Sequence, residues 1–242
     1  MHDTAPGGHP LDIAGSQGSG VAGAVGVFAF VLPFYAWGRS AYPHCGDALA
    51  MSLVVFTVLD DEWQPTAIGL GLALAISMRY QNALWLLWPT WLVLRSNGSA
   101  RERVRELAPI YAAASLALTP LAYLALAHPG SETGVIRWTA EFFDLQGFGS
   151  DLLDVLVGVH GLLTWTPIVL LALLGLCVSG PRMEARRGAC IVLVLLCLLM
   201  ASVRDPNAGT AFGARRLAGL TPFVAWGLHR LVTRARERGG HR

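Results

Sequence analysis

The sequence predicts an all-α fold: a polytopic transmembrane helix bundle of about eight membrane segments, one pair of which forms a short helical hairpin. Three observations predict it. Hydrophobic residues make up 54% of the 242 residues, and the mean hydropathy is +0.50. Charge-free apolar runs recur along the whole chain. All 18 basic residues are arginine, and they cluster in every second gap between the apolar runs.

The arginine clusters predict the orientation of the chain. They lie at 95–105, 182–187 and 230–242, and an excess of arginine in short loops marks the cytoplasmic side of a membrane. We therefore expect an integral protein of the inner, cytoplasmic membrane with its C-terminus in the cytoplasm. The gaps on the outer side are then 38–47, 128–151 and 203–216. The clusters are anchors against anionic lipid in this interpretation, and no nucleic-acid partner is predicted, because no folded or aromatic module accompanies them.

The chain divides into three predicted parts. Residues 1–20 are polar and rich in glycine, and they are predicted to be disordered. Residues 21–233 form the transmembrane helical domain, and residues 234–242 form a basic cytoplasmic tail. The predicted membrane segments in chain order are 21–37, 47–59, the two limbs of 64–94, 107–127, 160–179, 189–203 and 217–232.

The stretch 64–94 is the helical hairpin, with Arg79-Tyr80-Gln81-Asn82 at its outer tip. Its limbs are short, so we expect protein rather than lipid to surround them. The alternative is one long tilted span with Arg79 buried midway. Gly69 and Gly71 inside this stretch are predicted to serve helix packing rather than phosphate binding.

Polar residues gather at the outer ends of the predicted spans. Ionisable side chains there are costly unless they are paired, solvated or functional. The candidates for substrate binding are His44, Arg79, Tyr80, Gln81, Asn82, His160, Arg215 and Arg216. The catalytic residue is not identified, and Asp47 is the nearest candidate on the outer side.

Most of these residues also have structural explanations. His44 suits a membrane interface, Asp47 suits the N-cap of a helix that begins at Ala48, and Arg79 suits snorkelling or an ion pair with Asp47. His160 suits a hydrogen bond to a neighbouring helix. The pair Arg215-Arg216 differs, because it lies on the outer side against the charge bias, which favours a phosphate or an acidic partner.

The sequence contains no recognisable cofactor motif. Its four cysteines are too scattered for a disulfide framework or a Cys/His metal site. The acidic run Asp60-Asp61-Glu62 is assigned to a cytoplasmic turn away from the other polar groups. No cofactor and no metal ligand is predicted, although the sequence leaves a bound metal ion open.

Four segments together resemble a known family. They are Tyr42-Pro43-His44, Met78-Arg79-Tyr80-Gln81-Asn82-Ala83, His160-Gly161-Leu162-Leu163-Thr164-Trp165-Thr166-Pro167 and Phe212-Gly213-Ala214-Arg215-Arg216-Leu217. Their order and common side resemble the bacterial branch of the GT-C integral membrane glycosyltransferases, which are similar to protein mannosyltransferases. The resemblance covers about residues 21–233 of the chain.

The resemblance implies transfer of a sugar from a polyprenyl-phosphate carrier on the outer face, with the sugar donor and membrane lipid as partners. Arg215, Arg216 and Arg79 would then stabilise the departing phosphate. The family's catalytic acid lies in its first outer loop, whereas residues 38–46 here lack such an acidic motif. We therefore expect an N-terminally truncated member that binds the carrier but is inactive alone.

Two other classes of function remain open. A non-enzymatic transporter or flippase-like protein would also explain polar residues near the spans, and it would favour broken helices and an internal repeat. A structural membrane subunit is the third class. The sugar, the acceptor and the oligomeric state are not predicted.

Overall fold

The computed structural model describes residues 44–60, 62–127, 143, 145–180, 182–203 and 215–239 of the chain. In chain order the α-helices are α1 His44–Leu59, α2 Pro65–Met78, α3 Leu87–Arg95, α4 Ala100–Ala127, α5 Phe148–Val157, α6 Leu162–Trp165, α7 Ile168–Cys177, α8 Met183–Ala201 and α9 Thr221–Gly239. A first 3-10 helix, Tyr80–Leu86, precedes α3, and a second, Arg215–Leu220, precedes α9. The described regular structure is thus helical, apart from an isolated bridge between Phe143 and Val203.

The all-α fold is confirmed for the described residues, but several predicted segments have different bounds. The predicted span 21–37 and the polar start 1–20 lie outside the described residues. The predicted span 189–203 overlaps the longer helix α8, which begins at Met183 and ends at Ala201. Part of the predicted basic tail is helical, because α9 continues to Gly239. Within this part of the helix, Arg234 forms an ion pair with Glu237 at 3.0 Å.

Helices α1 and α2 run antiparallel and touch closely. An added Cβ at Gly71 would lie 3.0 Å from Val54 Cγ2 in α1, and one at Gly69 would lie 2.9 Å from the backbone of Pro109 and Ile110 in α4. These glycines let three helix backbones approach one another. The prediction that Gly69 and Gly71 serve packing is confirmed.

The predicted interruption of the stretch 64–94 is present at Arg79. Helix α2 ends at Met78, and Arg79 has an extended backbone with φ −153° and ψ 115°. A single continuous α-helix through Arg79 is therefore wrong, because the helical hydrogen-bond ladder stops there. The insertion of the two limbs into a membrane stays a prediction.

Helix α4 begins seven residues before the predicted span 107–127. A capping box explains the early start, because the backbone N–H of Ser99 donates to Glu102 Oε2 at 2.6 Å and the backbone N–H of Glu102 donates to Ser99 Oγ at 3.3 Å. These bonds lower the pKa of Glu102 from its ordinary value of 4.5. The charged first turn of α4 is thus stabilised by its own side chains.

The predicted span 160–179 is not one helix. It is divided into α6 and α7, because the chain breaks at Thr166 and Pro167. Of the residues that the structure describes, none forms a single helix with both the length and the apolar character of a membrane span, whereas Phe148–Thr164 and Ile168–Cys177 together meet both criteria with a 96° bend between them.

The core is closed by aromatic rings and by one tight helix crossing. Trp85 stacks on Phe223 of α9 at 4.2 Å between ring centroids, and Trp88 meets the same ring edge-on at 5.2 Å. Trp88 Nε1 also donates to the carbonyl of Ala185 at 2.7 Å, so the buried indole is satisfied. The first 3-10 helix and α3 are thereby held against α8 and α9.

Helices α7 and α9 cross at a pair of glycines. A Cβ built on Gly175 would lie 1.8 Å from the carbonyl oxygen of Gly227, and one built on Gly227 would lie 2.1 Å from that of Ala172. No side chain fits at these distances, so the two backbones are in direct contact. This crossing positions the second 3-10 helix, which leads into α9.

Candidate functional site

A buried carboxylate is the centre of the candidate site. Asp47 lies in the first turn of α1, and 1% of its surface is exposed. The Nδ2 group of Asn82 donates to Asp47 Oδ1 at 2.6 Å, and the backbone N–H of Gly219 donates to the same carboxylate. Arg79 Nε lies 3.5 Å from Asp47 Oδ2 as an ion pair. A buried carboxylate persists only with such partners.

Arg79 reaches Asp47 because α2 ends immediately before it. The extended backbone at Arg79 turns its side chain towards the start of α1. There its guanidinium also donates to Nδ1 of His44, which is 1% exposed. One guanidinium therefore links the two residues that sequence analysis had singled out at the start of the predicted second span.

Asn82 fixes the first 3-10 helix to the same place. Besides Asp47 it donates to the carbonyl of Ala75 at 2.8 Å, which also accepts the backbone N–H of Arg79 at the end of α2. Tyr80 is 43% exposed and Gln81 is partly exposed. The predicted tip therefore presents one face to the buried carboxylate and another to the surface.

The second 3-10 helix completes this network, which we call the Asp47 network: His44, Asp47, Arg79, Asn82 and the backbone of Gly219. An added Cβ at Gly219 would lie 3.1 Å from Asp47 Oδ1 and 3.2 Å from Met51 Cγ. A larger residue there would push the helix away from the carboxylate. The helix begins with Arg215 and Arg216, whose side chains lie outside the described part of the structure.

His160 lies elsewhere. It occupies the turn after α5, it is half-buried, and its Nδ1 has no hydrogen-bond partner among the described residues. Helix α5 packs against α8 rather than against the Asp47 network. Four of the predicted site residues therefore lie together with the backbone of Gly219, and His160 lies apart from them. The four are His44, Asp47, Arg79 and Asn82.

The structure tests the structural explanations that the sequence offered for Asp47 and Arg79. The N-cap interpretation of Asp47 is wrong, because α1 begins three residues earlier at His44 and the Asp47 side chain faces Asn82 and Gly219 instead. The ion pair of Arg79 with Asp47 is confirmed. Sequence analysis missed Gly219, since a backbone donor carries no side-chain signal, and only its place shortly after Arg216 pointed towards the site.

The network is better suited to holding a shape than to proton transfer. The carboxylate of Asp47 already accepts two hydrogen bonds and faces a guanidinium. A general base needs to reach the proton of a substrate, and this carboxylate is enclosed. Among the described residues no group of three or more His, Cys, Asp or Glu is arranged to hold a metal ion.

Comparison of the chain with protein-family models, with curated proteins and with solved structures gives no match.

Proposed function

We propose that the chain is a multi-pass membrane protein of glycosyltransferase type that binds a polyprenyl-phosphate-linked sugar on the extracytoplasmic face. The membrane part of the proposal is supported by apolar side chains that point away from the core. On α1 these are Leu49, Leu53 and Phe56, at 61%, 45% and 70% exposure, and on α2 Leu70 continues the pattern at 62%. Contiguous exposed apolar surface of this kind favours contact with lipid or another protein.

The orientation is supported by the arrangement of the arginine clusters in space. Arg230, in the third cluster, donates to the carbonyl of Ser179 at 3.1 Å, close to the start of the second cluster. Arg95 and Arg187 line one cleft. The three clusters therefore lie towards one end of the molecule, whereas the Asp47 network lies beyond the opposite end of α9.

The observation that carries the site proposal is that two of the four family-like segments, and the helix that begins inside another, meet around Asp47. His44 ends the first segment, Arg79 and Asn82 belong to the second, and the helix that begins at Arg215 donates through Gly219. Residues far apart in sequence thus form one end of the bundle. In the proposal this network holds Arg215 and Arg216 in place, and those two arginines bind the carrier phosphate.

Asp47 has a positioning role in this proposal. Its enclosed carboxylate joins α1, the predicted tip and the second 3-10 helix, and therefore sets where the arginine pair begins. Arg79 balances the charge of Asp47 rather than that of the carrier.

The transporter-like alternative keeps one observation in its favour. The 96° bend between Phe148–Thr164 and Ile168–Cys177 is a broken helix of the kind that lines transport sites. A transporter would move a lipid-linked sugar across vesicles without forming a glycosidic bond, so an assay that follows both the lipid leaflet and the sugar linkage separates the two functions.

Binding of the carrier tests the proposal. The full chain and an Arg215→Gln/Arg216→Gln variant would be titrated with a fluorescent polyprenyl phosphate in detergent. Each charge-assisted hydrogen bond to phosphate contributes about 1.5–3 kcal/mol, so we expect the variant to bind at least tenfold more weakly. The control Arg101→Gln/Arg105→Gln removes the same charge from exposed positions at the start of α4. Equal binding by a folded Arg215/Arg216 variant and the wild type would contradict the proposal.

A further inference from the structure

A second candidate site lies at the arginine-rich end of the molecule. A cleft of about 570 Å³ opens between the end of α3, the connection after α7 and the first turns of α8. We call it the arginine cleft. Its lining includes Trp91, Arg95, Ser179, Glu184, Arg187 and Ile191.

The two cations of the cleft come from different helices. The Arg95 guanidinium lies over the ring of Trp91, 4.5 Å from the ring centroid, which limits the directions in which it can point. Arg187 forms an ion pair with Glu184 at 2.7 Å, and both side chains are largely exposed. With two guanidinium groups and one carboxylate, the cleft has a net positive charge. Phosphate suits planar guanidinium donors.

The backbone acceptors of the cleft wall are already used. The buried guanidinium of Arg186 donates to the carbonyls of Val178 and Gly180, the second at 3.0 Å. Arg230 donates to the carbonyl of Ser179 between them. This wall therefore contributes few free acceptors that would repel an anion. It is also held in one shape, because two arginines from different helices bind three successive carbonyls.

The floor of the cleft is apolar. Leu176, Cys190 and Ile191 line it, and along α8 the outward side chains of Ile191 and Val194 are 43% and 58% exposed. A free phosphate would use only the arginines, whereas a ligand with an attached hydrocarbon chain would also cover these side chains. Cations above an apolar helix surface match the boundary between lipid headgroups and acyl chains.

We propose that the arginine cleft binds the phosphate of an anionic phospholipid, with the acyl chains lying along Leu176 and Ile191. This site is distinct from the Asp47 network and takes a membrane lipid rather than a sugar donor. It rests on the membrane placement proposed above. Arg95 and Arg187 bind the phosphate, and Trp91 keeps Arg95 in position.

Native mass spectrometry of the detergent-purified full chain provides the test. Phosphatidylglycerol and phosphatidylcholine with the same acyl chains would be compared for the wild type, for Arg95→Gln/Arg187→Gln, and for the control Arg101→Gln/Arg105→Gln. An arginine near an anionic lipid surface strengthens binding roughly fivefold, so losing both should weaken binding of phosphatidylglycerol roughly 30-fold. We expect the wild type to prefer phosphatidylglycerol and the control to keep that preference.

The inference would be overturned by no preference in the wild type, by an unchanged preference in the Arg95/Arg187 variant, or by an equal loss in the control, which would indicate diffuse attraction. Glycerol phosphate competing as well as the lipid would also overturn it, because the acyl chains would then contribute nothing. Thermal unfolding of each variant checks folding. Failure of membrane integration would contradict the proposed function, whereas a lost lipid preference in an integrated protein contradicts only this inference.

Discussion

A single ion pair joins the start of α1 to the end of α2. Arg79 lies 3.5 Å from Asp47, with side-chain exposures of 14% and 1%. Burial of both charges is expensive, and removal of one partner leaves the other uncompensated. The pair therefore determines how well this end of the bundle tolerates substitution.

A double-mutant cycle measures that dependence. We expect Arg79→Ala to lower the free energy of unfolding by about 3–5 kcal/mol, because it leaves the enclosed Asp47 carboxylate without its cation. Asp47→Ala/Arg79→Ala should be less destabilised than the sum of the single variants, since both charges are gone. Denaturant unfolding of the purified protein provides the values.

The exposed pair Glu184–Arg187 is the matched control for this cycle. Its side chains are 45% and 62% exposed, and exposed pairs contribute about 0–1 kcal/mol. A coupling energy at Asp47–Arg79 no larger than that at Glu184–Arg187 would show that the buried network is not a stabilising contact.

The candidate site was predictable only in part. The sequence indicated His44, Arg79 and Asn82 because polar residues at the ends of apolar runs are conspicuous. It did not indicate that Asp47 faces Gly219, since that bond joins α1 to a helix near the other end of the chain through a backbone N–H. His160 is also a polar residue at the end of an apolar run, and yet it lies apart from the Asp47 network. The position of a residue at the end of a predicted span does not show which other helices pack beside it.

At the scale of elements, helix contacts depend on the absence of side chains at a few positions. The crossing of α7 and α9 leaves no room at Gly175, whose added Cβ would lie 1.8 Å from the carbonyl oxygen of Gly227. We expect Gly175→Ala to destabilise the protein by about 1–3 kcal/mol or more, because the two backbones must separate. Thermal or denaturant unfolding measures the change.

Gly149 in α5 is the matched control for Gly175. An added Cβ there meets nothing within 4 Å, and alanine is favoured over glycine in a helix by about 1 kcal/mol. Gly149→Ala should therefore leave stability unchanged or raise it. A Gly175→Ala variant that behaves like Gly149→Ala would mean that the two helices are not in contact.

Helix bounds were predictable from the sequence where a change in polarity coincided with the end of a helix. The break at Arg79 was visible as a polar interruption. The division at Thr166 and Pro167 was missed because the apolar composition continues across it, although proline removes a backbone donor. The early start of α4 was missed for the opposite reason: charged residues ended the predicted span, while the capping box of Ser99 and Glu102 began the helix.

At the scale of the whole molecule, the arginine clusters and the Asp47 network lie towards opposite ends of α9. Helix α9 leads from the second 3-10 helix, which contacts Asp47, to Arg230, which contacts Ser179. From Thr221 to Arg230 the helix rises roughly 14 Å. The net charge of +2 therefore averages an arginine-rich end and an end with a neutralised polar network.

Cysteine labelling tests the predicted orientation. In a background without the four native cysteines, we expect Ser150→Cys to react with a membrane-impermeant maleimide in intact cells. Ser99→Cys and Arg236→Cys should react only after lysis, because they lie in arginine-rich segments that the charge rule places inside. All three positions are exposed in the structure. Reaction of Ser99→Cys but not Ser150→Cys in intact cells would reverse the orientation.

The Asp47 network also has an order in time. A chain is synthesised from its N-terminus, so Asp47 can meet Arg79 and Asn82 before Gly219 and the Phe223 ring that stacks on Trp85 have been made. Until then Trp85 lacks the ring that stacks on it, and the Asp47 carboxylate lacks the backbone N–H of Gly219. Synthesis of the second 3-10 helix and α9 is thus the step that completes this end of the described structure.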